Sequence, residues 1–273
     1  MNRTGVSSVL LAAAMAGASM AGAQATSRGG AEASTTRFAV RVENVSTRTT
    51  LKLAKGGALD MPLSPGVWAV HTGGNPLLTP GKPDAGLGLK GLAEAGMAPE
   101  FAANLARVPS VRSHGVLDKP MMRRATMGAM ANDMGAKSAS SAMVPSPDGP
   151  MLMSGTQVDI IIDARPGDQL SLAFMLGHSN DGIIGTGAAG IALFDANGRP
   201  VSGDVTSTIG LWDAGTEVNE EPGVGRNQGM RQGAPSAGDP ERRPVRAMSE
   251  AEFGVRWPAA RRMLRVTIAP VKR

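Results

Sequence analysis

The sequence predicts an all-β fold, an antiparallel β-sandwich with one or two short helices. Three observations carry that expectation. Apolar and polar residues alternate over several short segments, turn-forming residues separate those segments, and helical spacing is confined to one stretch. Phe38, Val40 and Val42 alternate with Ala39, Arg41 and Glu43, as in a strand with one buried face. Gly66 to Val70 is a second extended piece after Ser64-Pro65, and Leu77 to Pro83 reads as loop from its Pro and Gly. Helical spacing appears between Leu87 and Val108, where Pro99 suits a first helical turn and divides the stretch into two short helices. Strand patterns return after Met151. Val158, Ile160 and Ile162 alternate with Asp159, Ile161 and Asp163; then Leu170, Leu172, Phe174 and Leu176 follow the turn Arg165-Pro166-Gly167-Asp168, a hairpin signal. Ile191 to Phe194 and Val201 to Thr208 flank a second turn, Asp195-Ala196-Asn197-Gly198. Residues 221–246 form a long polar loop, and Leu264, Val266 and Ile268 close the chain as a last strand.

Residues 1–23 read as a cleavable signal peptide: Arg3 is the positive n-region, Val6 to Met20 is small and apolar, and Ala21-Gly22-Ala23 is a small-x-small cleavage site. The expected destination is the periplasm or the medium. Residues 24–36 are a small-residue linker, and 37–273 form one domain. Residues 119–150 are rich in Met, Ala, Ser and Gly without periodicity and read as a flexible, disordered insertion. Thioethers can hold copper(I), but the irregular Met spacing there favours a low-complexity loop. No later run reaches the roughly 18 apolar residues of a transmembrane helix.

The chain contains no cysteine, which excludes disulfides, thiol catalysis and Cys-ligated metals. Its 28 Lys and Arg outnumber 23 Asp and Glu, yet the basic pairs 123–124, 242–243 and 261–262 are isolated, which argues against nucleic acid as a partner. Five Phe, three Trp and no Tyr leave little with which to stack bases or sugars.

Several motifs fail on context. Gly185 to Gly190 matches G-x-G-x-x-G, but only four apolar residues separate it from the next turn, so no helix can start there to face a pyrophosphate. Gly177-His178-Ser179-Asn180-Asp181 approaches a nucleophile elbow, but no histidine follows it. His71 and His114 lack metal-ligand spacing. Asp195 to Gly198 lacks the remaining ligands of an EF-hand and reads as a hairpin turn.

One constellation is different. In Leu211-Trp212-Asp213-Ala214-Gly215-Thr216-Glu217 two acids stand four apart around a Gly, and Asp181 lies in another loop after a strand. If those loops emerge at one end of a sandwich, three carboxylates converge, and a hard divalent cation relieves their repulsion. The alternative is a set of solvated loop acids.

The segments 62–71 (PLSPGVWAVH), 76–83 (PLLTPGKP), 190–207 (GIALFDANGRPVSGDVTS), 211–223 (LWDAGTEVNEEPG) and 265–270 (RVTIAP) together resemble a bacterial spondin-domain protein, the domain also found in F-spondin and mindin. The resemblance covers residues 37–118 and 151–270 in order and is most specific at D-A-G-T-acid. It implies a sandwich related to C2 domains, extracellular placement, and calcium (Ca2+) held in loops at one edge. Asp213 and Glu217 match the two acids of that motif, with Glu217 where animal members have Asp, and Asp181 matches the acid of the preceding S-x-D loop. The animal proteins' cysteines and aromatic residues are missing here, so their adhesion surfaces do not transfer. The expected function is a non-catalytic, calcium-binding module in adhesion or ligand recognition, with a protein or glycan of the cell surface or matrix as partner. An exported hydrolase with Glu220 and Glu221, or the Asp181 cluster, as paired carboxylates and a structural envelope protein are the alternatives.

Overall fold

The computed structural model describes residues 34–122, 145–146 and 149–271. The signal-peptide expectation and nearly all of the linker lie outside them. In chain order the elements are β1 (Thr36–Asn44), β2 (Leu51–Lys52), β3 (Ala58–Leu59), β4 (Gly66–His71), α1 (Leu89–Ala95), α2 (Ala98–Leu105), β5 (Val111–Leu117), β6 (Met121–Met122), β7 (Pro145–Ser146) and β8 (Gly149–Pro150). They continue with β9 (Thr156–Ala164), β10 (Gln169–Met175), β11 (Gly182–Thr186), β12 (Ile191–Ala192), β13 (Gly203–Asp204), β14 (Ile209–Asp213), β15 (Arg246–Ala247), α3 (Glu250–Phe253) and β16 (Leu264–Pro270).

Among the described residues two antiparallel sheets make the expected β-sandwich. One runs β13-β16-β1-β9-β6; the other runs β15-β14-β11-β10-β4-β5, with β12 beside β10. In β1 the alternation seen in the sequence is realised directly: Phe38, Val40 and Val42 are buried, while Arg37 and Arg41 stand in solvent. They meet Val158 and Ile162 of β9, Val266 and Ile268 of β16, and Leu170, Leu172 and Phe174 of β10 in the core between the sheets. Each such side chain contributes roughly 1.5–3 kcal/mol by leaving water.

The second sheet is covered on its outer side as well. Val67 and Ala69 of β4, Ala173 of β10 and Ile183 of β11 pack against Leu89, Leu92, Phe101 and Leu105 of the two helices. The helices fall where the sequence placed them. Pro99 lies in the first turn of α2, and Gly96 ends α1 in the left-handed conformation.

The sequence-level hairpin at 158–176 is corrected. β9 pairs with β1, and β10 pairs with β4 and β11, so the two strands belong to different sheets. The turn between them is tight, with the Asp168 amide donating to the Arg165 carbonyl at 2.9 Å and Asp168 Oδ2 accepting from the Arg165 amide at 2.8 Å. Both strands carry a strong apolar face, and in opposite sheets those faces pack against one another in the core between them. At the second expected hairpin the turn is present, with Phe194 bridged to Pro200, but 201–208 is a two-residue strand followed by a 3₁₀ turn. The ends of the expected insertion are in strands, since Met121–Met122 pairs with Thr156 and Gln157, and Gly149–Pro150 pairs with β7. The expectation of disorder for 123–144 lies outside the described residues.

Candidate metal centre

The topology gathers two of the predicted acids. β11 and β14 are antiparallel neighbours with Gly182 opposite Asp213, so the residue preceding β11, Asp181, and the last residue of β14, Asp213, share one end of the sheet. Just beyond Asp213 the chain must turn sharply. Asp213 Oδ1 accepts from the Gly215 amide at 2.7 Å, and Gly215 has a φ of 71°. A Cβ at Gly215 would lie 2.2 Å from the Arg243 carbonyl oxygen, so the Gly of the D-A-G-T-E segment is required by both conformation and space. That close approach lays segment 241–247 beside the motif, with Arg243 and Gly215 joined through their backbones at 2.9 Å.

Asp181, Asp213 and Glu217 are all fully buried. Asp181 Oδ2 accepts from the backbone amides of Thr216 and Glu217 at 2.7 and 3.0 Å, which fixes the turn after β14 onto the turn before β11. Burial, and next to it the charge of Asp213, push the Asp181 pKa up to about 7 against those amide donors. Burial also raises Asp213, opposed by the Asn219 amide, by Arg246 and by the Gly215 amide. Arg246 ion-pairs with Asp213 Oδ2 at 2.6 Å, and also engages Glu241 at 3.0 Å and Glu252 at 3.1 Å. The side chain of Glu217 turns the other way, accepting from Gln232 at 2.8 Å and the Gly238 amide at 3.0 Å. Burial, then the nearby charge of Glu94, push its pKa up to about 7. Glu94, on α1, is itself fully buried and pairs with Lys90 across one helical turn.

Each carboxylate therefore has donors of its own, and among the described residues no three His, Cys, Asp or Glu side chains stand together at metal-holding distance. The convergence is instead of mixed oxygens. Asp181 Oδ1, the Glu217 carbonyl oxygen and Asn219 Oδ1 lie 2.7, 3.1 and 3.0 Å from one atom, the Asn180 side-chain nitrogen. The Asn180 amide has two hydrogens for these three acceptors, and its own Oδ1 is buried without a partner. Asn219 also donates to Asp213 Oδ2 at 2.5 Å, which ties the second acid into the same group. A carboxylate, a main-chain carbonyl and a side-chain amide oxygen are the ligand types a calcium ion takes. With the Asn180 oxygen and nitrogen exchanged, four oxygens would face one another, an arrangement that a cation among them stabilises.

The three sequence-predicted residues thus have different positions. Asp181 is central, Asp213 is adjacent and held by Arg246, and Glu217 contributes its main-chain carbonyl while its side chain serves the 227–239 loop. Asn180, Asn219, Arg246 and Glu94 were not singled out from the sequence. Asn180 stands inside the S-x-D stretch and Asn219 two residues after Glu217, so both were open to a search that admitted amide oxygens as ligands. Nothing local marks Arg246 or Glu94.

A scan of the sequence against models of protein families finds no match, and a search of curated proteins finds none either. The fold and site define the chain as an antiparallel β-sandwich with a buried, acid- and amide-lined loop cluster at one sheet end. No helix among the described residues is long and apolar enough to cross a membrane.

Proposed function

We propose that this chain is an exported, non-catalytic calcium-binding module of the spondin type, acting in adhesion or ligand recognition at a cell surface or matrix. The observation that carries the reading is the convergence of Asp181 Oδ1, the Glu217 carbonyl and Asn219 Oδ1 on one buried point, beside an unpartnered Asn180 Oδ1. Asp181, the Glu217 carbonyl, Asn219 and Asn180 would hold the ion, with Asp213 neutralising it from the adjacent position. The ion supplies positive charge to a cluster of buried acids and ties segment 177–190 to segment 211–223, so that they present one defined surface. Full burial of these acids speaks against the hydrolase alternative at the Asp181 cluster, because a carboxylate closed off from solvent has no route to a sugar or ester; it does not bear on the pair Glu220 and Glu221, which are half-buried.

The test is thermal unfolding during a calcium titration. Affinity in the range of extracellular modules is on the order of 10⁻⁴–10⁻³ M. At about one hundred times the Kd the ion adds about 2.7 kcal/mol, which for a domain of this size raises Tm by roughly 5–10 °C. Asp181→Asn should abolish the increment. An unchanged midpoint at saturating calcium in wild type overturns the reading.

A further inference from the structure

On the other side of the same loop, three methionines scattered along the sequence meet one histidine. Met151, Met153, Met230 and His178 line a cavity of about 350 Å³, together with Asp60 and Arg48. The arrangement follows from the chain. Leu152 bridges to Leu63 through backbone bonds of 2.8 and 3.1 Å and points into the core between the sheets. Its neighbours Met151 and Met153, two apart in extended chain, therefore present their thioethers to the opposite side. Gly177 keeps room for them: a Cβ there would lie 2.8 Å from the Met151 methyl and 2.9 Å from the Pro62 carbonyl oxygen. Met230 closes the group from the polar loop and is 49% exposed, which leaves the cavity a way in from solvent.

Two further observations separate this group from ordinary core packing. Met61 and Met263 sit wholly inside the apolar core, whereas these three line one solvent-connected cavity together with an imidazole. Asp60 and Arg48 offset one another, so the cavity offers little of the net negative charge a hard divalent ion requires.

We propose that Met151, Met153, Met230 and His178 form a second metal site, a thioether–imidazole site for a soft monovalent cation, copper(I) or its analogue silver(I). Thioether sulfur and imidazole nitrogen are the ligands such ions prefer, and with no cysteine in the chain they are the softest it possesses. The site stands independently of the calcium reading, since it shares none of those ligands.

The experiment uses the full chain with ¹³C-labelled methionine methyl groups, titrated with silver(I) in chloride-free buffer and followed by NMR and calorimetry. The first equivalent should shift the Met151, Met153 and Met230 methyl signals and the His178 ring signals together. Met151→Leu/Met153→Leu should weaken binding by at least about tenfold. Met127→Leu/Met130→Leu/Met134→Leu, confined to the low-complexity segment, should leave that first equivalent unchanged. Should the double variant fail to fold, Met230→Leu, at an exposed position, and His178→Ala report on the same site. The proposal is overturned if silver(I) first shifts methyl signals from 119–150 only, or if the folded variants of the cavity bind it as wild type does.

Discussion

The outer face of the β13-β16-β1-β9-β6 sheet and the loop cluster around Asp181 handle charge in opposite ways. On the sheet face the acids of β1 and β9 each have a base across from them. Arg41 meets Asp159 at 2.8 and 2.9 Å, Arg37 meets Asp163 at 3.0 Å, and Arg265 meets Glu43 at 2.6 Å. These pairs follow the strand register directly, since Arg41 lies opposite Asp159, Arg37 opposite Asp163 and Glu43 opposite Arg265. Most of these side chains are half exposed, and water screens what they gain. In the loop cluster the acids are fully buried, bases are few, and donors come mostly from backbone and amides. Balanced charge in solvent steadies register at little energetic consequence; unbalanced charge away from solvent raises the pKa of the acids that carry it.

The largest effect expected from that contrast is at Arg246. Arg246→Ala removes the one base that serves Asp213, Glu241 and Glu252 together, and should destabilise the calcium-free protein by on the order of 3 kcal/mol. On the proposed calcium reading, saturating calcium should recover part of that loss in chemical denaturation, because the ion would neutralise Asp213 from the other side. Equal losses with and without calcium would place Arg246 outside the ion's reach.

A smaller effect is expected from pH. Asp181 and Glu217 have folded-state pKa values raised to about 7, so the native protein keeps protons that the unfolded chain has already released. The stability tied to those protons is complete below the ordinary carboxylate range and is lost as pH rises through 7. Between pH 6.5 and 8, in chelator, Tm should fall with rising pH, and Asp181→Asn should flatten the slope. Below that window His71 and His178, whose pKa values burial lowers, act in the opposite direction. Calcium should reduce the slope in wild type to that of the variant, which keeps the share of Glu217, and leave the variant unaltered. A variant slope as steep as that of wild type would refute the assignment.

The smallest effect is expected on the sheet. Arg41→Ala should cost less than about 1 kcal/mol, and the difference from wild type should shrink further at high salt. A loss as large as that at Arg246 would erase the distinction between the two regions.

The legibility of the sequence divides along the same line. β1, β4, the two helices and β16 were readable because their pattern is local: alternation of Phe38, Val40 and Val42, Pro99 at a first turn, alternation of Leu264, Val266 and Ile268. The pairing of β9 was not readable. A strand followed by a tight turn and another strand has the same local signature whether the two join one sheet or cross between two, and the choice rests on which buried faces meet. At the site, Asp181, Asp213 and Glu217 were found as residue types at a suggestive spacing, but the direction of the Glu217 side chain depends on Gln232 and Gly238, far along a loop without periodicity. Met151, Met153, Met230 and His178 were invisible as a group for the same reason.

What the sequence determined by itself was the class of fold, the positions of most strands and helices, and the presence of acids in two turns, because periodicity and turn chemistry act between residues a few positions apart. What only the tertiary structure decided was which oxygens share a point, which acid is paired with Arg246, and which thioethers face His178. Those are outcomes of strand order and loop path, and they arise when packing brings together residues that no local rule relates.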